Sequence, residues 1–267
     1  MKAFFSNRMV ELDEPCLTLD NRGLQYGDGL FETMIYQNNK IKYFDRHLDR
    51  LHRGIEALGM IPDANLINSV IEEQVKNLIR INKLSGTIRI KLQVWRKSGG
   101  LFTPLNNKTE FFITVQEQQS KLIKKKEAEI SLEIKIQYSP FSRFKTCNML
   151  PYVLAGLEKK KRKVDELVLL NEQGFVAECT AANIFWVKNG IYYTPGLESG
   201  CIEGVKRGVI LEELKIQNMP YKEVLEGPES LYNADFAFAC NVAGIYSIQK
   251  IASIKYKYHV ESFLLNL

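Results

Sequence analysis

Apolar residues recur along the chain at two spacings, and the change of spacing marks the elements. Strand-like runs at 28–37 and 41–43 flank the polar turn Gln37-Asn38-Asn39-Lys40, which predicts a hairpin. From Phe44 to Leu58 the period lengthens. Leu48, Leu51, Ile55 and Leu58 follow at steps of three and four, so a helix with one apolar face is expected, stopped by Gly59 and Pro62. Ala64 to Asn82 reads as a second helix with Leu66, Val70, Val75, Leu78 and Ile79 inward, and Thr87–Trp95 and Glu110–Gln116 read as strands.

Residues 117–127 are almost wholly polar. They suit either a linker at 118–127 or a solvated hairpin loop within one domain. The linker reading divides the chain into a small N-terminal α+β domain at 1–117 and a larger C-terminal domain at 128–267. The second half opens with an alternating strand, Glu129–Tyr138, and a helix from about Leu150 to Lys163. Strands follow at 166–170, 175–179, 183–187 and 190–193, then a helix over Val205–Leu214 and strands at 235–239 and 245–251. So many short strands among helices predict an α/β (α+β) fold with a barrel-like sheet in the C-terminal half. The run Lys159-Lys160-Lys161-Arg162-Lys163 closes a predicted helix, where cations favour the negative end of its dipole; a nucleic-acid patch is the weaker alternative.

Composition narrows the class. At 45% hydrophobic and 25% charged over 267 residues, the chain is neither disordered, nor collagen-like, nor a disulfide-stapled miniprotein. Its 36 basic against 31 acidic residues leave +5, too little to indicate nucleic acid but compatible with a small anionic substrate. No apolar run approaches the ~18–20 residues of a membrane span, and the apolar stretch after Met1 is too short for a signal peptide. Five scattered cysteines and only three histidines (His47, His52, His259) give no metal-binding spacing. A cytoplasmic protein with reduced thiols and no metal is expected.

Three segments carry candidate chemistry. Ser142-Arg143-Phe144-Lys145-Thr146-Cys147-Asn148 sets a lysine between a strand and a helix, where Arg143 could lower its pKa; a solvated loop lysine is the bland alternative. Glu178 lies in the run Val176 to Trp186 of small and apolar residues, so it is either paired in the interior or points outward from a strand. Cys201-Ile202-Glu203-Gly204-Val205-Lys206-Arg207 leads into a helix, whose free N–H groups suit a phosphate; it is otherwise a plain helix entry.

Together and in this order the segments resemble the class IV aminotransferases, the fold-type IV enzymes that use pyridoxal 5'-phosphate. The resemblance begins at Asp20-Asn21-Arg22-Gly23-Leu24-Gln25-Tyr26-Gly27-Asp28-Gly29-Leu30-Phe31-Glu32-Thr33. It continues through His47-Leu48-Asp49-Arg50-Leu51, Lys145 with Asn148, and Glu178 to Phe185. It ends with Tyr193-Thr194-Pro195, Gly204-Val205-Lys206-Arg207 and Cys240-Asn241. It implies two α/β domains, with the cofactor between them and its lysine in the C-terminal one. It makes Lys145 the lysine that holds the cofactor aldehyde and shuttles protons. Glu178 becomes the carboxylate on the pyridine nitrogen, which keeps that nitrogen protonated. Arg50 becomes a phosphate contact, as do the backbone N–H groups of Val205 and Lys206. Ile202 would pack on the ring face, Asn241 would add a polar phosphate contact, and Phe31 would line the substrate site. A homodimer acting on a small anionic or amino-acid substrate is implied, with no membrane or nucleic-acid partner.

Within the family, Cys179-Thr180-Ala181-Ala182-Asn183 and Cys240-Asn241 resemble aminodeoxychorismate lyases, which release pyruvate to form 4-aminobenzoate for folate biosynthesis. Against that, Leu101 stands where lyases and D-amino-acid enzymes often carry a carboxylate-binding arginine. Arg89, Lys91, Arg96 or Lys97 could replace it, Arg96 and Lys97 being nearest in sequence. An aminotransferase for branched-chain or D-amino acids with 2-oxoglutarate is the alternative, and a member that only binds is a third.

Overall fold

The computed structural model describes residues 1–118, 127–257, 260–265 and 267. The chain divides into two compact units, Met1–Lys121 with Phe144–Asn148, and Leu122–Arg143 with Met149–Leu267. Most of the expected linker, 119–126, lies outside the described residues, as does His259.

The first unit runs β1 (Lys2–Phe5), β2 (Arg8–Glu11), α1 (Arg22–Tyr26), β3 (Gly29–Gln37), β4 (Lys40–Ile41), α2 (Phe44–Ala57), α3 (Asn68–Ile81), β5 (Ile88–Arg96) and β6 (Thr109–Glu117). Among the described residues its strands form one antiparallel sheet in the order β2-β1-β6-β5-β3-β4. Side chains alternate across it. Ile88, Ile90, Leu92 and Val94 of β5 and Phe111, Ile113 and Val115 of β6 are buried with Leu48, Leu51 and Ile55 of α2 and Ile71, Val75 and Leu78 of α3. The other face carries the partly buried Phe31, Lys91, Gln93 and Phe112, with Phe31 opposite Gln93, and Thr33 opposite Lys91. Burying the helical face removes most of the apolar surface here, at roughly 25 cal/mol per Å².

Where expectation and structure differ, the causes are local. The second helix starts at Asn68, not Ala64, because Asp63 takes the Asn65 N–H (2.9 Å) and its carbonyl takes the Leu66 N–H (2.9 Å), making a turn. Leu66 is buried ahead of the helix, and Ile71 fills the inward position.

The second unit comprises β7 (Glu127–Ile136), α4 (Leu150–Arg162), β8 (Glu166–Asn171), β9 (Val176–Cys179), β10 (Asn183–Lys188), β11 (Ile191–Pro195), α5 (Val205–Ile216), β12 (Tyr221–Val224), α6 (Glu229–Tyr232), β13 (Phe236–Asn241), β14 (Gly244–Ile248), β15 (Lys250–Ile251), β16 (Ile254–Lys255) and α7 (Ser262–Leu265). Among the described residues the strands form two five-stranded sheets, β12-β11-β10-β13-β14 and β16-β15-β7-β8-β9. That is the form the barrel-like expectation takes: the two sheets adjoin at a tight turn bridged between Cys179 and Ala182. The stretch 245–251, expected as one strand, is shared between β14 in one sheet and β15 in the other. β7 and β8 are parallel and joined through α4, so β8 is buried along its whole length. The basic run does close α4, with Lys163 capping it in the left-handed region (φ 56°).

One correction concerns the lysine segment. The sequence reading put Lys145 in the C-terminal domain, but residues 144–148 pack with the first unit. Thr146 bridges Leu30, the Phe31 N–H donates to the Lys145 carbonyl (2.8 Å), and the Cys147 N–H donates to the Gly29 carbonyl (2.8 Å). Phe144 is buried in the core under α2.

Candidate active site

In the first unit these backbone bonds hold Lys145 against β3. Its Nζ lies 4.4 Å from the centre of the Phe31 ring. Lys91 of β5 approaches the same ring at 5.4 Å and the Phe112 ring at 5.8 Å. Burial lowers the Lys91 pKa, and the Arg89 charge adds to this. The Gln93 amide donates to Cys147 Sγ (3.5 Å), and burial pushes that thiol up to about 11. Asn148 reaches back to the Gly27 carbonyl (3.4 Å). Only glycine fits at 27, because φ is +65° and a Cβ would meet Asn148 Oδ1. This sheet face therefore joins two amines, an amide and a protonated thiol around one aromatic ring.

Arg50 projects from α2 to the opposite, helix-covered face. Its Nε and Nη2 grip Glu32 at 2.7 and 2.6 Å, and His47 Nδ1 lies 2.7 Å from the same carboxylate. All three are buried. Burial alone would raise Glu32, but the Arg50 charge and the hydrogen bonds from His47 and Arg50 hold it at about 2. The sequence motifs contained Glu32 and His47 without marking them as the holders of Arg50.

Arg96 requires a correction as a substrate-binding cation. It is buried, with Nε on Asp28 (3.0 Å), Nη2 on the Leu58 carbonyl (2.7 Å), and Nη1 on the Gly59 carbonyl (3.3 Å) and Asn107. Four acceptors engage its guanidinium as a strut. Arg22 shares Asp28 (2.8 Å) and clamps the carbonyls of Gly100 (3.0 Å) and Leu101 (2.6 Å). The Leu101 side chain is exposed. Lys97 is partly buried, and its N–H donates to the Lys108 carbonyl (2.9 Å).

In the second unit Glu178 lies in β9 and is buried, not directed outward. Its Oε1 accepts the Tyr152 hydroxyl at 2.5 Å. The Ile202 N–H lies 3.3 Å from both carboxylate oxygens, and the Asn183 amide 3.4 Å from Oε2. Asn183 also donates to the Ile202 carbonyl (2.8 Å), tying Glu178 to the partly buried Ile202 at the entry to α5. Helix α5 starts at Val205 behind an extended Gly204, with no side chain capping it. A Cβ at Gly204 would run into Asn183 Oδ1. The first-turn N–H groups of Val205 and Lys206 are therefore those of an uncapped helix start. The Lys206 side chain is turned to the Leu267 carbonyl (2.5 Å), consistent with a backbone role at this position.

Two further residues of the motifs have partners of their own. Arg143 is ion-paired with Glu203 (2.7 Å). Asn241 spends its side chain closing a turn: the amide donates to the Ala181 carbonyl (3.0 Å) and Oδ1 accepts the Ala243 N–H (2.9 Å). Tyr152 was missed altogether, because nothing at the start of α4 marks its hydroxyl as aimed at Glu178.

The profile of the amino-transferase class IV family matches residues 29–251. The chain belongs to that family. An aminodeoxychorismate lyase of Bacillus subtilis is 27% identical over 95% of this chain and 87% of its own length. A provisionally assigned branched-chain-amino-acid aminotransferase of Methanocaldococcus jannaschii is 29% identical over 91% of this chain and 85% of its own. In fold, the branched-chain aminotransferase of Thermoproteus uzoniensis superposes with a TM-score of 0.87 at 24% identity, covering 97% of this chain and 90% of that one. The protein is thus a class IV enzyme dependent on pyridoxal 5'-phosphate. Each unit by itself offers donors of the kind that group needs: the first an amine for the aldehyde, the second a buried carboxylate for a protonated ring nitrogen and an uncapped helix start for a phosphate.

Proposed function

We propose that this enzyme is an aminodeoxychorismate lyase, with Lys145 as the proton-transferring amine and Lys91 as the cation that binds a substrate carboxylate. The observation that carries this reading is the makeup of the sheet face around Lys145. Lys91 and Gln93 flank Phe31 there, where a pocket for a branched aliphatic side chain would need apolar residues. Lys91 supplies the charge absent at Leu101.

When bound, pyridoxal phosphate supplies an electron sink conjugated to the substrate nitrogen. Lys145 Nζ would take the proton from the ring carbon bearing that nitrogen. The adjacent C–O bond would then break, the expelled enolpyruvate would take that proton on its methylene carbon to become pyruvate, and the ring would become aromatic as 4-aminobenzoate. Glu178 would hold the proton on the cofactor's ring nitrogen, the N–H groups of Val205 and Lys206 would hold its phosphate, and Arg50, oriented by Glu32, would add a cation for that phosphate.

The competing reading is an aminotransferase for branched-chain or D-amino acids with 2-oxoglutarate. In it Lys145 moves the α-proton of the amino acid, and the exposed Leu101 and Phe102 would contribute to an apolar pocket. In this reading the enzyme is a cytoplasmic homodimer. Four exposed apolar residues on α4, Leu150, Val153, Leu154 and Leu157, support a second subunit, and light scattering tests it. Among the described residues no helix is long and apolar enough to cross a membrane. Incubating the purified protein with aminodeoxychorismate, and separately with leucine or D-alanine plus 2-oxoglutarate, decides the activity. Fluorescent 4-aminobenzoate is expected; glutamate formation without it overturns the lyase reading.

A further inference from the structure

Glu178 is held by unequal partners. The Tyr152 hydroxyl lies 2.5 Å from Oε1, whereas the Ile202 N–H and the Asn183 amide lie at 3.3–3.4 Å. Hydrogen bonds to an ionised group are shorter and roughly twice as strong as neutral ones, and O–H···O⁻ bonds fall at about 2.5–2.7 Å. Tyr152 is therefore a short, charge-assisted donor to this carboxylate.

The tyrosine is built to stay there. It sits in the first turn of α4, directly after Pro151, where the pyrrolidine ring restrains the backbone. Its ring packs against the buried cluster of Ile136, Ala155, Leu167, Leu169 and Ala177 beneath α4. Burial and then the neighbouring Glu178 charge raise its pKa well above the ordinary tyrosine value, so the hydroxyl keeps its proton. Cys201 also lies near Glu178, and its buried thiol is pushed up to about 12 and adds no charge.

We propose that Tyr152 is a positioning residue: its hydroxyl anchors and partly neutralises the Glu178 carboxylate, and so sets how strongly Glu178 holds the protonated ring nitrogen of pyridoxal phosphate. This rests on the reading that Glu178 faces that nitrogen. A carboxylate that loses its donor presents more negative potential to a nearby cation, which then keeps its proton to higher pH. A donor made more acidic does the reverse.

The test is the pH midpoint of the visible absorption band of the holoenzyme, which responds to the charge around the cofactor independently of turnover. Tyr152→Phe keeps the ring in its cluster and should raise the midpoint by about half a unit or more, a shift of ordinary size for one altered neighbour. Incorporating 3-fluorotyrosine at 152, a near-isosteric and stronger donor, should lower it. Glu178→Gln should move it, and in that background Tyr152→Phe should have no further effect. If Glu178→Gln moves the midpoint but neither change at 152 does, the role of Tyr152 is overturned while Glu178 keeps its place. If the change at 152 acts equally with Gln at 178, the effect does not run through Glu178 and the proposal fails. If Glu178→Gln leaves the midpoint unmoved, the placement of Glu178 at the ring nitrogen is itself wrong, and the proposal falls with it.

Discussion

Lys91 and Lys145 present their amines to the same aromatic ring, Phe31, at 5.4 and 4.4 Å from its centre. Two cations sharing one ring face a mutual Coulomb cost that an anion placed beside them relieves. The burial that lowers the Lys91 pKa also makes a carboxylate partner there more favourable than at an exposed lysine.

Replacing Lys91 tests that relationship. Lys91→Met keeps the stem and removes the charge. If the contact is made in both ground and transition states, KM for aminodeoxychorismate should rise while kcat changes little. A charge-assisted hydrogen bond of roughly 1.5–3 kcal/mol corresponds to a rise of about tenfold to a hundredfold. Steady-state kinetics at fixed pH measure it, and an unchanged KM removes Lys91 from substrate binding.

Arg96 should behave in the opposite manner. Its guanidinium joins Asp28, Asn107 and the carbonyls of Leu58 and Gly59, so Arg96→Met leaves buried acceptors without a donor. A stability loss of about 3 kcal/mol is expected from a broken buried pair, read as a lower urea midpoint. KM in the folded fraction should stay within about twofold, since the residue makes no uniform binding contact.

The Glu32 carboxylate predicts an acid limb of stability. Its pKa is held at about 2 in the folded protein, below the ~4.3 of an unfolded glutamate. A depressed carboxylate contributes stability above its unfolded pKa, and that contribution fades as pH falls through the folded value. Thermal unfolding midpoints of the protein should therefore drop between about pH 4.3 and 2. Glu32→Gln should be less stable at pH 7, by about 3–5 kcal/mol for a buried pair deprived of one partner, and should show a flatter acid limb. Equal slopes in the two proteins would mean that other carboxylates dominate.

How much of this was legible beforehand depends on the range of the interaction. The inward face of α2 follows from a 3.6-residue period, and Leu48, Leu51 and Ile55 are buried as that period requires. The strands β5 and β6 are long and alternate, so they too were readable. The strands β1, β2 and β12 have four residues each, too few for periodicity to register. Lys145 and Glu178 were found from ordered motifs, since neither segment is distinctive alone. Choosing Lys91 over Arg96 required strand register. Arg96 ends β5 beside Asp28, whereas Lys91 lies opposite Thr33 on the face with Phe31. The Tyr152–Glu178 bond spans 26 residues and two elements, and no local pattern encodes it.

Whether Lys145 carries the cofactor is read from where a reduced adduct forms. Loading the protein with pyridoxal 5'-phosphate, reducing with borohydride and mapping the digested peptides by mass spectrometry locates the stable adduct. One modified site is expected, at Lys145, with loss of the visible band on reduction and no adduct at that site in Lys145→Ala. A stoichiometric adduct on Lys91 or any other lysine, with Lys145 unmodified, would contradict it.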